Sequence, residues 1–274
     1  MSVWLITGSS RGLGLHIARE ALASGHQVVA TARDTEVVRA ALGDAGGEVL
    51  YLPLDVTDEQ QAQEVARAAY ERFGRIDVLV NNAGRGLLGA VEEASDAEAR
   101  AVYDINVFGL LAVTRAVLPY MRRERSGRIL NISSVGGFTA GSGWGIYNST
   151  KFAVEGLSEA LRADLAPLGI HVTIIEPGVF RTDFLDASSL HSTTPIDDYA
   201  QTVGKTRDWA VDNNHQQPGD PVKAARAIVT VAASDAPPVR LPLGADCVAR
   251  VESKLETVAK ELDTWRELAL DTAI

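Results

Sequence analysis

Short apolar runs alternate with longer stretches of helical period along this chain. The runs are residues 3–7, 27–32, 48–54, 76–81, 128–133 and 171–176. Most are continuously apolar, as expected of strands covered on both faces. After the first run, Leu15, Ala18 and Leu22 share one helical face; before the fifth, Val102, Ile105, Val113 and Val117 do the same. This alternation predicts an α/β fold: a three-layer, Rossmann-like, doubly wound parallel sheet of about seven strands, order 3-2-1-4-5-6-7, with helices on both faces. Right-handed crossovers gather the C-terminal strand ends on one edge, where ligands bind.

The rhythm breaks at residues 179–220. That stretch is rich in Ser, Thr, Asp and Asn and carries Phe180, Phe184, Leu185, Tyr199 and Trp209. Long irregular segments in compact domains are usually functional or disordered. A helix near 222–233 and a strand at 239–243 follow. A final amphipathic helix over about 246–270 repeats Val251, Leu255, Val258, Leu262 and Trp265 at steps of three and four. It is expected to dock on the same domain, and residues 1–274 to form one domain.

Composition narrows the function classes. The 274 residues carry 26 Lys+Arg against 36 Asp+Glu, a formal net charge of −10. With no basic cluster longer than 122–125, nucleic acid is an unsuitable partner. At 46% hydrophobic and 23% charged the chain is not disordered. A single cysteine, Cys247, builds neither an internal disulfide nor a zinc site and suggests a reducing, cytoplasmic setting. Without a long apolar run or a basic N-terminal region, neither a membrane span nor a signal peptide is expected. The five histidines show no metal-ligand spacing, so no metal is expected.

Thr7-Gly8-Ser9-Ser10-Arg11-Gly12-Leu13-Gly14 joins the first strand to a helix. Glycines let the backbone approach a diphosphate, and the helix start offers unpaired N–H groups and a positive dipole end. The spacing is G-x-x-x-G-x-G. The same residues satisfy G-x-S-x-G around Ser10, but a nucleophile elbow needs an oxyanion donor from an earlier loop, and only nine residues precede Ser10. An acidic residue ending the second strand would favour NAD; an arginine favours the 2′-phosphate of NADP. Ala32 stands there, followed by Arg33. With Arg11 in the glycine loop, two guanidiniums point to NADP, while Asp34 leaves NAD open.

Tyr147 and Lys151 are four apart and share a helix face. A plain alternative is a surface tyrosine with Lys151 pairing to Glu155. The pair follows a flexible loop, 136–145, at the ligand-binding edge, and the chain has five lysines in all. Carbonyl reduction needs a proton donor at the developing alkoxide. Bringing a phenol from ~10 toward neutrality requires about 4 kcal/mol. One ammonium ~4 Å away at an effective dielectric of ~20 supplies about that much, so Lys151 is expected to lower Tyr147 unaided.

With these motifs in hand, the chain resembles the short-chain dehydrogenase/reductase superfamily, in its single-domain branch of about this length. The likeness covers nearly the whole chain: residues 7–14 as cofactor loop, Asp55-Val56 at the adenine, Asn81-Asn82-Ala83-Gly84 after the fourth strand, Asn106, Ser134 thirteen before Tyr147, and Pro177-Gly178 with Thr182 beside the nicotinamide. The resemblance implies Tyr147 as acid/base, Ser134 as a second hydrogen bond to the reacting oxygen, Lys151 on the ribose hydroxyls, and Asn106 as anchor of a water reaching Lys151. It implies Gly8, Ser10, Arg11, Gly12, Leu13, Gly14, Arg33, Asp55, Val56, Asn82, Ala83, Gly84, Tyr147, Lys151, Pro177, Gly178 and Thr182 at the cofactor. Asp55 also reads as the cap of a helix starting near Thr57.

The resemblance also implies that residues 179–220 fold over the bound cofactor as a substrate lid, and Phe138, Trp144, Phe184 and Trp209 suggest an apolar substrate pocket. The function expected is an NADP(H)-dependent oxidoreductase interconverting a bulky hydrophobic ketone or aldehyde with its alcohol. A fatty-acyl ketoreductase and a non-turning-over cofactor sensor are alternatives. A homo-oligomer, dimer or tetramer, is expected from the resemblance.

Overall fold

A computed structural model describes residues 1–43 and 46–272. Seven parallel strands form the main sheet: β1 Val3–Ile6, β2 Gln27–Ala32, β3 Val49–Pro53, β4 Val78–Asn81, β6 Gly127–Ile132, β7 Ile170–Pro177 and β9 Arg240–Leu243. Their spatial order is β3-β2-β1-β4-β6-β7-β9. Counting these seven alone, this is the 3-2-1-4-5-6-7 order expected from the sequence. Two further strands, β5 Gly86–Leu88 and β8 Leu190–Ser192, pair in a separate parallel ribbon that the sequence did not suggest; at three residues each they carry no readable period.

Alternation within β1 shows why the strands are apolar throughout. Trp4 and Ile6 enter one core with residues of α1 Gly12–Ala23, α2 Thr35–Leu42 and α8 Pro221–Ala232. Val3 and Leu5 enter the opposite core with α3 Glu59–Phe73, α5 Leu110–Glu124 and the end of α6 Gly145–Leu165. Both faces of each strand therefore lose water on folding.

Local chemistry sets the helix starts. The side chains of Asp34, Asp58 and Asp220 accept first-turn N–H bonds and begin α2, α3 and α8. Asp58, not Asp55, caps α3; Asp55 instead holds the Thr57 N–H and hydroxyl in a turn before it. The helix expected before the fifth strand is broken in two. α4 Asp96–Tyr103 passes through a π-helical turn, Asp104–Gly109, into α5. An 18-residue window within Asp96–Glu124 has the length and mean hydropathy of a membrane span, although charged residues flank it; half of that window lies inside the domain.

The lid segment is ordered. A parallel bridge between Phe180 and Gly219 closes its base, and α7 Lys205–Asp212 crosses its top. The C-terminal helix α9, Ala245–Leu270, corrects the docking expectation: Cys247 is its one buried residue, and residues 252–270 are all exposed. Its apolar stripe has the right period but faces away from the core.

Candidate active site

The glycine loop leaves β1 and is clamped from the side by the chain after β4. Asn82 donates its amide to the carbonyls of Thr7 and Gly8 at 2.9 and 3.0 Å. The Thr7 hydroxyl accepts the N–H groups of Asn82 and Ala83. Gly8 has φ +67°, and a Cβ on Gly14 would meet Asn82 Nδ2 and the Gly8 carbonyl at 2.4 Å each. Side chains are excluded here because two loops interlock. Gly14 accordingly serves packing and does not line the cavity, whereas Gly8, Ser10, Arg11, Gly12 and Leu13 do. No side chain caps the start of α1 and no acid sits in its first turn. Its free N–H groups and dipole suit a diphosphate.

The cavity, about 830 Å³, runs from Arg33 along the strand edge to Trp209. Its adenosine end is lined by Ala32, Arg33, Asp55 and Val56; next come Asn82, Ala83 and Gly84, then Tyr147 and Lys151, with Pro177, Gly178 and Thr182 opposite. Asp34 is turned away into its capping bond with Glu36. Arg33 and Arg11 both line the cavity, and a second segment engages Arg11. Arg11 reaches across to the lid, where its two terminal nitrogens donate to the Ser188 hydroxyl (2.6 Å) and carbonyl (2.9 Å).

Ser134 follows β6 by two residues and caps the turn Val135–Gly137, accepting the Gly136 N–H at 3.0 Å. Its hydroxyl lies beside the Tyr147 phenol and favours the phenolate. Tyr147 and Lys151 lie on α6, 7% and 6% exposed. The Lys151 ammonium donates to the Ile132 carbonyl at 2.9 Å and lies 5.8 Å from the Tyr147 ring centre. It does not pair with Glu155, whose carboxylate meets Arg240. Burial pushes the Tyr147 phenol up to about 12, opposed by the Ser134 hydroxyl, and pushes Lys151 down to about 8, opposed by Glu155. This corrects the expectation that one lysine lowers the phenol unaided. In the protein alone, loss of water around the phenolate is the largest effect on Tyr147 and raises it.

Asn106 sits in the π-helical turn, buried behind the cavity. Its amide donates to the Arg85 carbonyl and the Thr150 hydroxyl, both 3.0 Å, and its carbonyl accepts the Arg85 N–H at 2.9 Å. It therefore holds the backbone after Gly84 and the back of α6, as a positioning residue; π-turns often occur at such sites.

At the substrate end, Trp144, Phe184 and Trp209 line the cavity. Trp144 and Phe184 flank Tyr147, ring centres 5.8 and 5.5 Å away. Phe138 is not among them; it lies under the Arg240 guanidinium, 5.8 Å from its ring centre, because the turn after Ser134 directs it toward β9. Among the lining residues that sequence reasoning missed, two carry polar groups from distant segments. Arg250, from α9, bonds the Thr139 hydroxyl at 2.8 Å. Gln217, in the lid, is 1% exposed, and its Oε1 has no partner. Neither lies in a motif. His215 of the lid falls near Asp183 and Asp186, with one potential ligand atom from each within 4.8 Å, a grouping that their separation in sequence concealed.

A doubly wound sheet with a glycine-loop diphosphate cradle and a Ser–Tyr–Lys group at its carboxyl edge defines an oxidoreductase that uses a nicotinamide dinucleotide. The profile of the short chain dehydrogenase family matches residues 2–192, and the chain belongs to that family. It is 38% identical over 272 residues to the oxidoreductase BOA17 of Botryotinia fuckeliana, covering 99% of both chains. It is 37% identical over 242 residues to a 3-ketodihydrosphingosine reductase of Bacteroides thetaiotaomicron, covering 88% of this chain and 87% of that one. A short-chain dehydrogenase structure from Streptomyces avermitilis matches with a TM-score of 0.92 at 41% identity, covering 100% and 98%. A Burkholderia phymatum relative in complex with NAD matches with 0.76 at 26% identity, covering 85% of each chain.

Proposed function

We propose that this chain is an NADP(H)-dependent carbonyl reductase and alcohol dehydrogenase for a bulky hydrophobic substrate, working as a cytoplasmic homo-oligomer built from a single domain. The observation that carries the reading is the Tyr147 phenol, buried with Ser134 and Lys151 along one cavity wall and flanked by Trp144 and Phe184 inside the cofactor-sized cavity. A dinucleotide bound along the glycine loop supplies the hydride. Tyr147 gives its proton to the carbonyl oxygen, and Ser134 fixes that oxygen's position. Lys151 steadies the negative charge left on the phenol and holds ribose hydroxyls. During alcohol oxidation Lys151, helped by the positive charge that an oxidised nicotinamide would supply when bound, would lower the phenol from its high resting value.

NADP is favoured by Arg33, which lines the adenosine end while Asp34 is engaged in its cap. The relative named as a 3-ketodihydrosphingosine reductase accords with ketone reduction. The test is steady-state kinetics with NADPH and NADH over ketones of rising apolar bulk. kcat/KM is expected to climb with bulk, and Arg33→Ala to reduce NADPH use while sparing NADH. A flat series would reject the hydrophobic pocket, and equal losses with both cofactors would reject the role of Arg33.

A further inference from the structure

α9 leaves the domain after its first turns. Asp246 accepts the Val179 N–H, Cys247 is buried and Arg250 reaches Thr139. Beyond them, residues 252–270 run exposed along a helix whose 26 residues span about 39 Å. A lone projecting helix is marginal in water unless its apolar face is covered. Here that face is Val248, Val251, Leu255, Val258, Leu262 and Trp265, spaced three and four alternately through the stretch. Leu255, Leu262 and Trp265 are 55%, 54% and 63% exposed.

A strict seven-residue repeat is the seam of a coiled coil, so it fits another helix of the same pitch rather than the side of a globular domain. The charges agree. α9 carries four basic against six acidic residues, without the basic excess that an anionic lipid surface would attract. Lys254 and Glu261 both border the seam on the same side, one heptad apart. A two-fold axis crossing the helix between residues 256 and 257 sets Leu255 against Val258 of the second copy and Val251 against its Leu262. The same axis brings Lys254 beside Glu261 of the second copy, twice. It also places the two domains at opposite ends of the helix pair.

We propose that α9 is an assembly device: two copies of this chain pair their C-terminal helices antiparallel through this seam. The proposal rests on the homo-oligomeric reading above and names its interface. Because Arg250 and Asp246 sit on the same helix, pairing also steadies the part of α9 that borders the cavity.

The test is sedimentation velocity on the full chain across a concentration series, with variants that keep the domain's cooperative melt. Leu255→Glu with Leu262→Glu places charge in the seam and is expected to halve the subunit number and raise the dissociation constant roughly 100-fold. Lys254→Glu alone is expected to weaken pairing about tenfold, and adding Glu261→Lys to restore it. A wild-type monomer overturns both the interface and the homo-oligomer. An oligomer unchanged by the seam variant overturns the interface alone. Failure of the reciprocal charge exchange to rescue overturns the antiparallel pairing. Binding of wild-type chain, and not of the seam variant, to phosphatidylserine vesicles without self-association assigns the seam to lipid and also overturns the proposal.

Discussion

Tyr147 illustrates how much a single side chain's surroundings decide. Its spacing from Lys151 and Ser134 was legible in the sequence, but its burial was not, and burial determines its resting protonation. With the phenol pushed up to about 12, it stays protonated at any working pH and is ready to donate. Tyr147→Phe should therefore cut kcat for ketone reduction by about 10²–10⁴. Cofactor binding, read by fluorescence titration of NADPH, should remain within a few fold, since Lys151 and the glycine loop are untouched. Lys151 sets the alkaline limit. Its ammonium is held down to about 8, so it is charged below that pH and neutral above it. The kcat/KM for reduction should stay level up to about pH 8 and fall beyond it as the charge beside the forming phenolate disappears. A pH–rate profile unchanged through pH 9 would contradict this.

At the scale of elements, the lid is tied down at its base and at its top as well as through β8 and Ser188. Its base is closed by the Phe180–Gly219 bridge, with the Gly219 N–H on the Val179 carbonyl. Its top is held by Arg207 of α7, which donates at 2.6 Å to Glu93, a carboxylate with no exposed side-chain surface. That bond leads the effects holding Glu93 down to about 2, ahead of two backbone N–H bonds. Stability from Glu93 is thus present above its ordinary carboxyl pKa and is lost only as pH falls through about 2. Removing Arg207 leaves a buried charge without its cation, which typically costs about 3–5 kcal/mol. Arg207→Met should raise KM for a bulky ketone several-fold while NADPH affinity stays near wild type, and limited proteolysis should cut the lid sooner. The composition of 179–220 marked it as irregular, and the family resemblance made it a lid. Its anchoring partner, more than a hundred residues earlier, was outside the reach of any local pattern.

Across the whole molecule, β7, α6 and β9 meet at a pair of buried carboxyls beneath the active-site helix. Glu176, 1% exposed, is pushed up to about 7 by burial and by Glu155 beside it; Glu155 is raised as well, and Arg240 bridges both. A raised carboxyl adds stability that is complete below its unfolded value of 4.5 and is lost as pH rises through the folded value. Measured against Glu176→Gln, the wild-type unfolding free energy should therefore decline between about pH 5 and pH 8. An unchanged difference over that range would show that the pair does not share a proton.

The sequence by itself determined the sheet order, the glycine loop and the reacting trio. Each depends on local rules: two-sided burial of short apolar runs, glycine where backbone must approach backbone, and a phenol and an amine one helical turn apart. Only the tertiary structure decided that Arg11 spans to Ser188, that Phe138 turns toward Arg240, that Asn106 braces Arg85, and that Gln217 and Arg250 border the cavity. Those outcomes depend on which distant segments meet and on how much water remains between them. The last helix shows the division most plainly: its seven-residue period is written in the chain, but whether that face lies inward or outward depends on the space left by the rest of the fold.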